Sequence, residues 1–120
     1  MEDLNTVIIE GRLTKEPELK YTSSGASVCN LSIANNERWS QDGEKKEATH
    51  YLDLSVWGKV GENCNTYLVK GQKIRVTGTL RQQRWETPEG EKRSKLVVSS
   101  KRIAFGDKPK GEGGFLDGQS

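Results

Sequence analysis

Histidine, methionine and cysteine are scarce in this chain of 120 residues, and each shortage excludes something. Cys29 and Cys64 form no CxxC pair. With His50 as the only imidazole, they are too few and too far apart for a zinc site. His50 falls mid-strand beside Tyr51, with no Ser or Cys nucleophile at a recognisable spacing, and a lone histidine of that kind is ordinarily structural. The GxxxxGK[ST] loop, GxGxxG and the G-x-S-x-G elbow are all missing. Acids are plentiful but scattered, and pairs such as Glu44 and Glu47 fall in an expected loop. A metal-dependent nuclease would need carboxylates gathered at strand ends. The chain is therefore expected to be no enzyme, and to hold no metal and no cofactor. Long apolar runs are also missing, and no signal peptide is evident, so no membrane partner is expected. A reducing cytoplasm with both thiols free is the expected setting.

Apolar residues are sparse too, at 32% against 30% charged. A single domain of this length can bury only a thin core, and self-association would compensate for it. Net charge is +2, but it is unevenly placed. Residues 1–62 hold seven Lys/Arg and eleven Asp/Glu, whereas residues 71–105 hold nine Lys/Arg and three acids. Most charge runs are plain solvated surface. A basic second half can also neutralise phosphates.

What is present is mostly strand signal. Residues 4–13 are rich in β-branched side chains, with Gly11 marking a bulge or sharp bend. Pro17 and Ser23-Ser24-Gly25 mark an irregular stretch and a turn. In 27–39, Cys29, Leu31 and Ile33 alternate with Asn30, Ser32 and Ala34. Residues 40–47 read as an exposed hairpin loop around Asp42-Gly43. In 49–57, Leu52, Leu54 and Val56 take one face, and Tyr51, Asp53, Ser55 and Trp57 take the other. One helix is expected over 60–69, with Val60, Cys64, Tyr67 and Leu68 at helical spacing and Gly71 as its C-terminal cap. A strand over 72–85 puts Ile74, Val76, Gly78 and Leu80 on one face. Residues 87–90 are a turn, and a last strand covers 93–105. Residues 106–120 are Gly-rich and are expected to be a disordered tail. The reading is an all-β domain over 1–105: a five-stranded OB-fold barrel with one short helix between strands 3 and 4.

Aromatics ordinarily belong to cores. Here the core face of 49–57 is already supplied by aliphatic residues, and Trp39 and Trp85 sit among charged neighbours. All three tryptophans lie at strand ends or on a polar face, where exposure points to a binding surface. Trp85 is flanked by Arg81, Arg84, Lys92 and Arg93. A single-stranded nucleic acid suits such a surface, because any base face stacks on an aromatic ring while the phosphates between bases require cations. Duplex DNA hides its base faces.

Six ordered motifs then carry a resemblance. They are Asn5 through Leu13 (N-x-V-x-I-x-G-R-L), Glu16 through Tyr21 followed by Ser24-Gly25, and Asn30 through Ala34. Trp57-Gly58-Lys59, Tyr67 through Gly71, and Val76 through Leu80 leading to Trp85 complete the set. Over residues 4–105 the chain resembles the bacterial single-stranded DNA-binding protein family. The resemblance implies a homo-oligomer, a tetramer, that coats and protects single-stranded DNA on the nucleoid during replication, recombination and repair. It implies base stacking on Trp39, Tyr51, Trp57 and Trp85, and basic contacts from Lys59, Lys70, Arg81 and Arg84. Asp53 departs from a simple basic surface. Family members commonly recruit replication and repair proteins through an acidic tip ending in Pro-Phe, whereas residues 111–120 here read GEGGFLDGQS. A different class of function is an OB-fold interaction module of a primosome-like assembly, its aromatics contacting protein.

Overall fold

A computed structural model describes residues 2–109. The segment 110–120, which includes most of the expected disordered tail, lies outside the described residues. Six strands and one helix follow in the order β1 (Val7–Leu13), β2 (Glu18–Tyr21), β3 (Ser27–Gln41), β4 (Glu44–Trp57), α1 (Gly58–Tyr67), β5 (Lys73–Glu86) and β6 (Lys92–Phe105). Five of the strands close on themselves. Neighbours run β1-β5-β6-β4-β3, and β1 pairs again with β3. The seam between β4 and β6 is parallel (Leu54↔Val98, Ser55↔Ser99, Val56↔Ser100), and the other pairings are antiparallel. The helix follows the third barrel strand, as the sequence order predicts for an OB barrel.

Closure depends on β1, which must serve two neighbours. Its first residues pair with β5 from Val7↔Gly78 onward, and its last two with β3 (Arg12↔Ala34, Leu13↔Ile33). Gly11 lies at the crossing. A Cβ there would stand 2.6 Å from the Ala34 carbonyl oxygen, so only glycine lets the two backbones approach. The bend expected at Gly11 is thus a close crossing of strands.

The alternation read from sequence sets the core. Cys29, Leu31 and Ile33 from β3 face Leu54 and Val56 from β4, with Ile74, Val76, Val98 and Leu13 completing the interior. Cys64 from α1 and Leu68 just beyond it plug one end. Each fully buried aliphatic side chain contributes roughly 1.5–3 kcal/mol. The two thiols are free. Burial pushes the Cys29 thiol up, and pushes Cys64 up to about 12. Both therefore pack as small apolar groups.

Four boundaries differ from the sequence reading. Residues 40–47 are not a loop. β3 continues to Gln41 and β4 starts at Glu44, leaving only Asp42 and Gly43 to turn the chain, both at positive φ (51° and 78°). That is the two-residue hairpin that Asp-Gly favours. Its charged residues are tolerated because both faces of the ribbon meet water and opposite charges pair, as in Arg38–Glu47 (3.6 Å) and Lys46–Glu44 (3.1 Å). Residues Glu18–Tyr21, in the stretch read as irregular, form a short strand on the edge of β3, in register with Ser27–Asn30. The helix begins at Gly58 and stops at Tyr67, where Leu68 turns extended and its N–H reaches the Cys64 carbonyl (3.0 Å). Tyr67 consequently points to solvent, and Leu68 takes the core position. Gly71 lies past the helix end, and its N–H binds the Leu13 carbonyl instead of capping the helix.

The hairpins β3–β4 and β5–β6 project beyond the barrel as two long arms. Among the described residues no helix is long and apolar enough to cross a membrane.

Candidate nucleic-acid interface

The continuous register of β3 with β4, from Val28↔Trp57 to Gln41↔Glu44, decides which side chains share a face. Paired residues of an antiparallel ladder lie on the same side. Val28, Asn30, Ser32 and Ala34 therefore share the outer wall with Trp57, Ser55, Asp53 and Tyr51. The parallel seam extends that wall onto β6, since Ser55 is level with Ser99. Counting by twos places Val97, Lys95 and Arg93 outward, and their β5 partners Arg81, Gln83 and Trp85 with them.

On this wall Tyr51 is 74% exposed and Trp85 47%. Trp57 is half-buried, at the junction of β4 and α1. Trp57 lines a cleft of about 590 Å³ with Lys59, Lys101 and the turn at Gly25–Ser27. Trp85 lines another of about 500 Å³ with Arg84, Lys92, Arg93 and Glu86. Lys59 is loosely paired with Glu62 at 3.9 Å. Arg93 is paired with Glu91, and Arg84 donates to Gln82 at 2.7 Å.

Trp39 lies elsewhere. It is opposite Lys46 and falls on the pleat face of Cys29, Leu31 and Ile33, carried past the barrel by the arm. It is 42% exposed and lines its own cleft with Arg38, Lys45 and Lys46. Tyr51, Trp57 and Trp85 thus share one wall, while Trp39 stands on the other face of its arm. Lys70 and Arg81 line none of these three clefts. Lys70 is exposed in the turn after α1, where its backbone N–H reaches Glu16 (3.3 Å).

Several residues at the interface escaped the sequence reading. Lys95 stands two residues beyond Arg93 on the same face, so alternation alone could have placed it. Lys101, Lys45 and Lys46 carry no local signal beyond charge. Glu18, in register with Asn30, and Asp53 are acids on the wall, and Asp53 is not left unpartnered. Its Oδ2 accepts from Lys95 Nζ at 3.0 Å, and its Oδ1 accepts from the Ser32 hydroxyl at 2.8 Å. Those two hydrogen bonds, Lys95 first, hold its carboxyl below the usual carboxylate range.

Flat exposed rings beside cations on a closed five-stranded barrel can take up flat, anionic chains. The description of the family whose sequence pattern matches residues 4–106 is the single-strand binding protein family. The chain belongs to that family. Among its relatives are proteins named single-stranded DNA-binding protein from three bacteria. That of Treponema pallidum is 43% identical over 103 residues, covering 86% of this chain and 58% of the relative. That of Borreliella burgdorferi is 40% identical over 99 residues, covering 82% and 66%. That of Aquifex aeolicus is 38% identical, covering 90% and 74%. The chain thus spans less than two thirds of the length of the first two family members. A solved structure described as a Plasmodium falciparum SSB complex with ssDNA superposes with a TM-score of 0.80 at 26% identity, covering 89% of this chain and 98% of that one. The shared family barrel is the OB fold derived above.

Proposed function

We propose that this chain binds single-stranded DNA without turning it over, stacking bases on Tyr51, Trp57 and Trp85 and neutralising phosphates with the cations beside them. The observation that carries the reading is the outer wall: Tyr51 and Trp85, 74% and 47% exposed, present aromatic surface that the free fold leaves uncovered. A stacked base is worth on the order of 1–3 kcal/mol with little sequence preference, so such a wall suits coating and protecting strands during replication, recombination and repair. The names of the relatives and the strand bound in the Plasmodium structure support it. Lys59, Arg84, Lys92 and Arg93 adjoin the rings. Arg81 stands on the wall without lining the clefts beside the rings, whereas Trp39 and Lys70 stand apart and serve a strand that continues past the wall.

The assembly proposed is a homotetramer. Leu4 (94% exposed) and Ile8 (67%) leave apolar surface along β1 that a second copy would cover. Sedimentation at micromolar concentration checks this, and a monomer sinks it. The setting proposed is the nucleoid in the cytoplasm.

Tryptophan fluorescence tests the main reading. Oligo(dT) quenches it strongly and duplex DNA leaves it nearly unchanged. A signal indifferent to single strands overturns the proposal.

A further inference from the structure

The phase of β6 changes once along its length. Ser100 is buried opposite Gly78, and Ile103 packs against the core opposite Val76. Strict alternation would put residues 100 and 103 on opposite faces. One step along β5, from Thr77 to Gly78, is matched by two along β6, from Arg102 to Ser100, so Lys101 is the extra residue of a β-bulge. Without it Arg102 would point into the barrel. With it Lys101 and Arg102, consecutive in the chain, both stand on the outer surface, and both are exposed.

The bulge is held from inside. Ser100 is 1% exposed, and its hydroxyl donates to the Thr77 carbonyl at 2.7 Å and accepts from the Arg102 N–H at 3.0 Å. Gly78 admits the close approach, since a Cβ there would collide with the Ser99 carbonyl oxygen. Curvature accounts for a bulge in a barrel strand, but not for two cations on it. Lys101 lines the Trp57 cleft with Lys59, so a base stacked on Trp57 brings its phosphate to this step of β6. Among the described residues no carboxylate pairs with Lys101 or Arg102, whereas Lys59, Arg93 and Lys95 are each paired. Neighbours on one face of a regular strand sit about 7 Å apart. Consecutive Cα atoms are only about 3.8 Å apart, so the two side chains can converge on one anion, Lys as a point charge and Arg as a fork. We propose that Lys101 and Arg102 clamp one phosphate of the nucleotide stacked on Trp57, the bulge being what sets them side by side. This rests on the strand-binding reading above.

The test is the salt dependence of oligo(dT) affinity, measured on the whole chain by fluorescence titration. For a single strand each neutralised phosphate contributes about 0.7 to the slope of log affinity against log salt. Lys101→Gln and Arg102→Gln combined flatten that slope by about 0.7, one phosphate. They leave the depth of quenching at saturation unchanged, because Trp57 still stacks. Both positions are exposed, so the fold is kept. Lys108→Gln removes an exposed charge three residues past β6 and leaves the slope of the parent. An unchanged slope in the double variant overturns the clamp. So does a flattening of about 1.4, which would give each cation a phosphate of its own. Equal flattening by Lys108→Gln would mean a diffuse field without a site, and overturns it too. In each of these outcomes the parent still binds. If oligo(dT) does not bind the parent, the strand-binding reading falls and takes this inference with it.

Discussion

Lys95 Nζ stands 3.0 Å from Asp53 Oδ2, joining β4 to the β5–β6 arm across the parallel seam. The two residues are 42 positions apart, and both are about half exposed, so the pair contributes little to stability in water. Its pH dependence has a definite sign. The Asp53 carboxyl is depressed in the fold by Lys95 and Ser32. Its contribution is therefore present above the ordinary carboxylate value near 3.8 and is lost as pH falls through the lower folded value. Thermal melts of the parent and Asp53→Asn should differ slightly at about pH 6 and converge toward about pH 2. A difference that grows with acid would mean that the carboxylate is not held by these partners.

The exposed rings and the half-buried one should separate under mutation. Tyr51→Ala and Trp85→Ala each weaken binding to oligo(dT) by about 1–3 kcal/mol. Both leave unfolding free energy within about 0.5 kcal/mol of the parent, as for surface positions generally. Trp57→Ala also weakens binding, but it removes a ring packed at the β4–α1 junction and lowers stability by about 1 kcal/mol or more. Urea unfolding alongside each titration checks the split. Equal stability losses in all three would mean that the outer wall is part of the core.

Trp39 offers a test of length. It occupies the other pleat face of its arm, so a strand seated along Tyr51 and Trp57 must pass around the arm to reach it. An oligonucleotide only long enough for the roughly 20 Å between those rings should bind Trp39→Ala and the parent alike. A strand several times longer should lose about 1–3 kcal/mol to the same substitution. Titrating oligo(dT) of graded length measures this, and a loss at every length would place Trp39 on the same path as Tyr51.

The barrel was legible because its strands alternate cleanly. Cys29, Leu31 and Ile33, with Leu54 and Val56, mark an inward face by period two alone. That same alternation left Tyr51 and Trp85 outside. The arms were less legible, because Ser40 through Glu47 have the composition of a loop. They are strand only because a two-residue turn brings opposite charges into register. The pleat face of Trp39 follows from period two over 27–39, but that the strand runs on past the barrel as an arm could not be read there. Glu18–Tyr21 becomes a strand through its partners at Ser27–Asn30, a long-range cause with no local trace. The helix end was misplaced because Tyr67 and Leu68 are both apolar and adjacent, and only packing chooses which turns inward. Asp53 could be flagged as out of place on a cationic wall, but its partner Lys95 lies across a parallel seam whose register no local pattern specifies.

Gly11 carries the last prediction. Barrel closure needs β1 to leave β5 and join β3 within a few residues, and the Ala34 carbonyl occupies the space where a side chain would begin. The obstacle at 2.6 Å is backbone, so no rotamer change relieves it. Either β1 withdraws from β3, which loosens Leu13 from the core, or the β3 backbone shifts under Ile33. Gly11→Ala should therefore lower the unfolding free energy by about 1–3 kcal/mol, the usual cost of overpacking. Oligo(dT) affinity should change far less, because Tyr51 and Trp85 sit on strands that need no help from β1 to keep their mutual register. Chemical denaturation and fluorescence titration of the one variant read both effects. Unchanged stability would show that the crossing has slack that the 2.6 Å approach denies, and a large loss of affinity would show that closure at β1 sets the geometry of the outer wall.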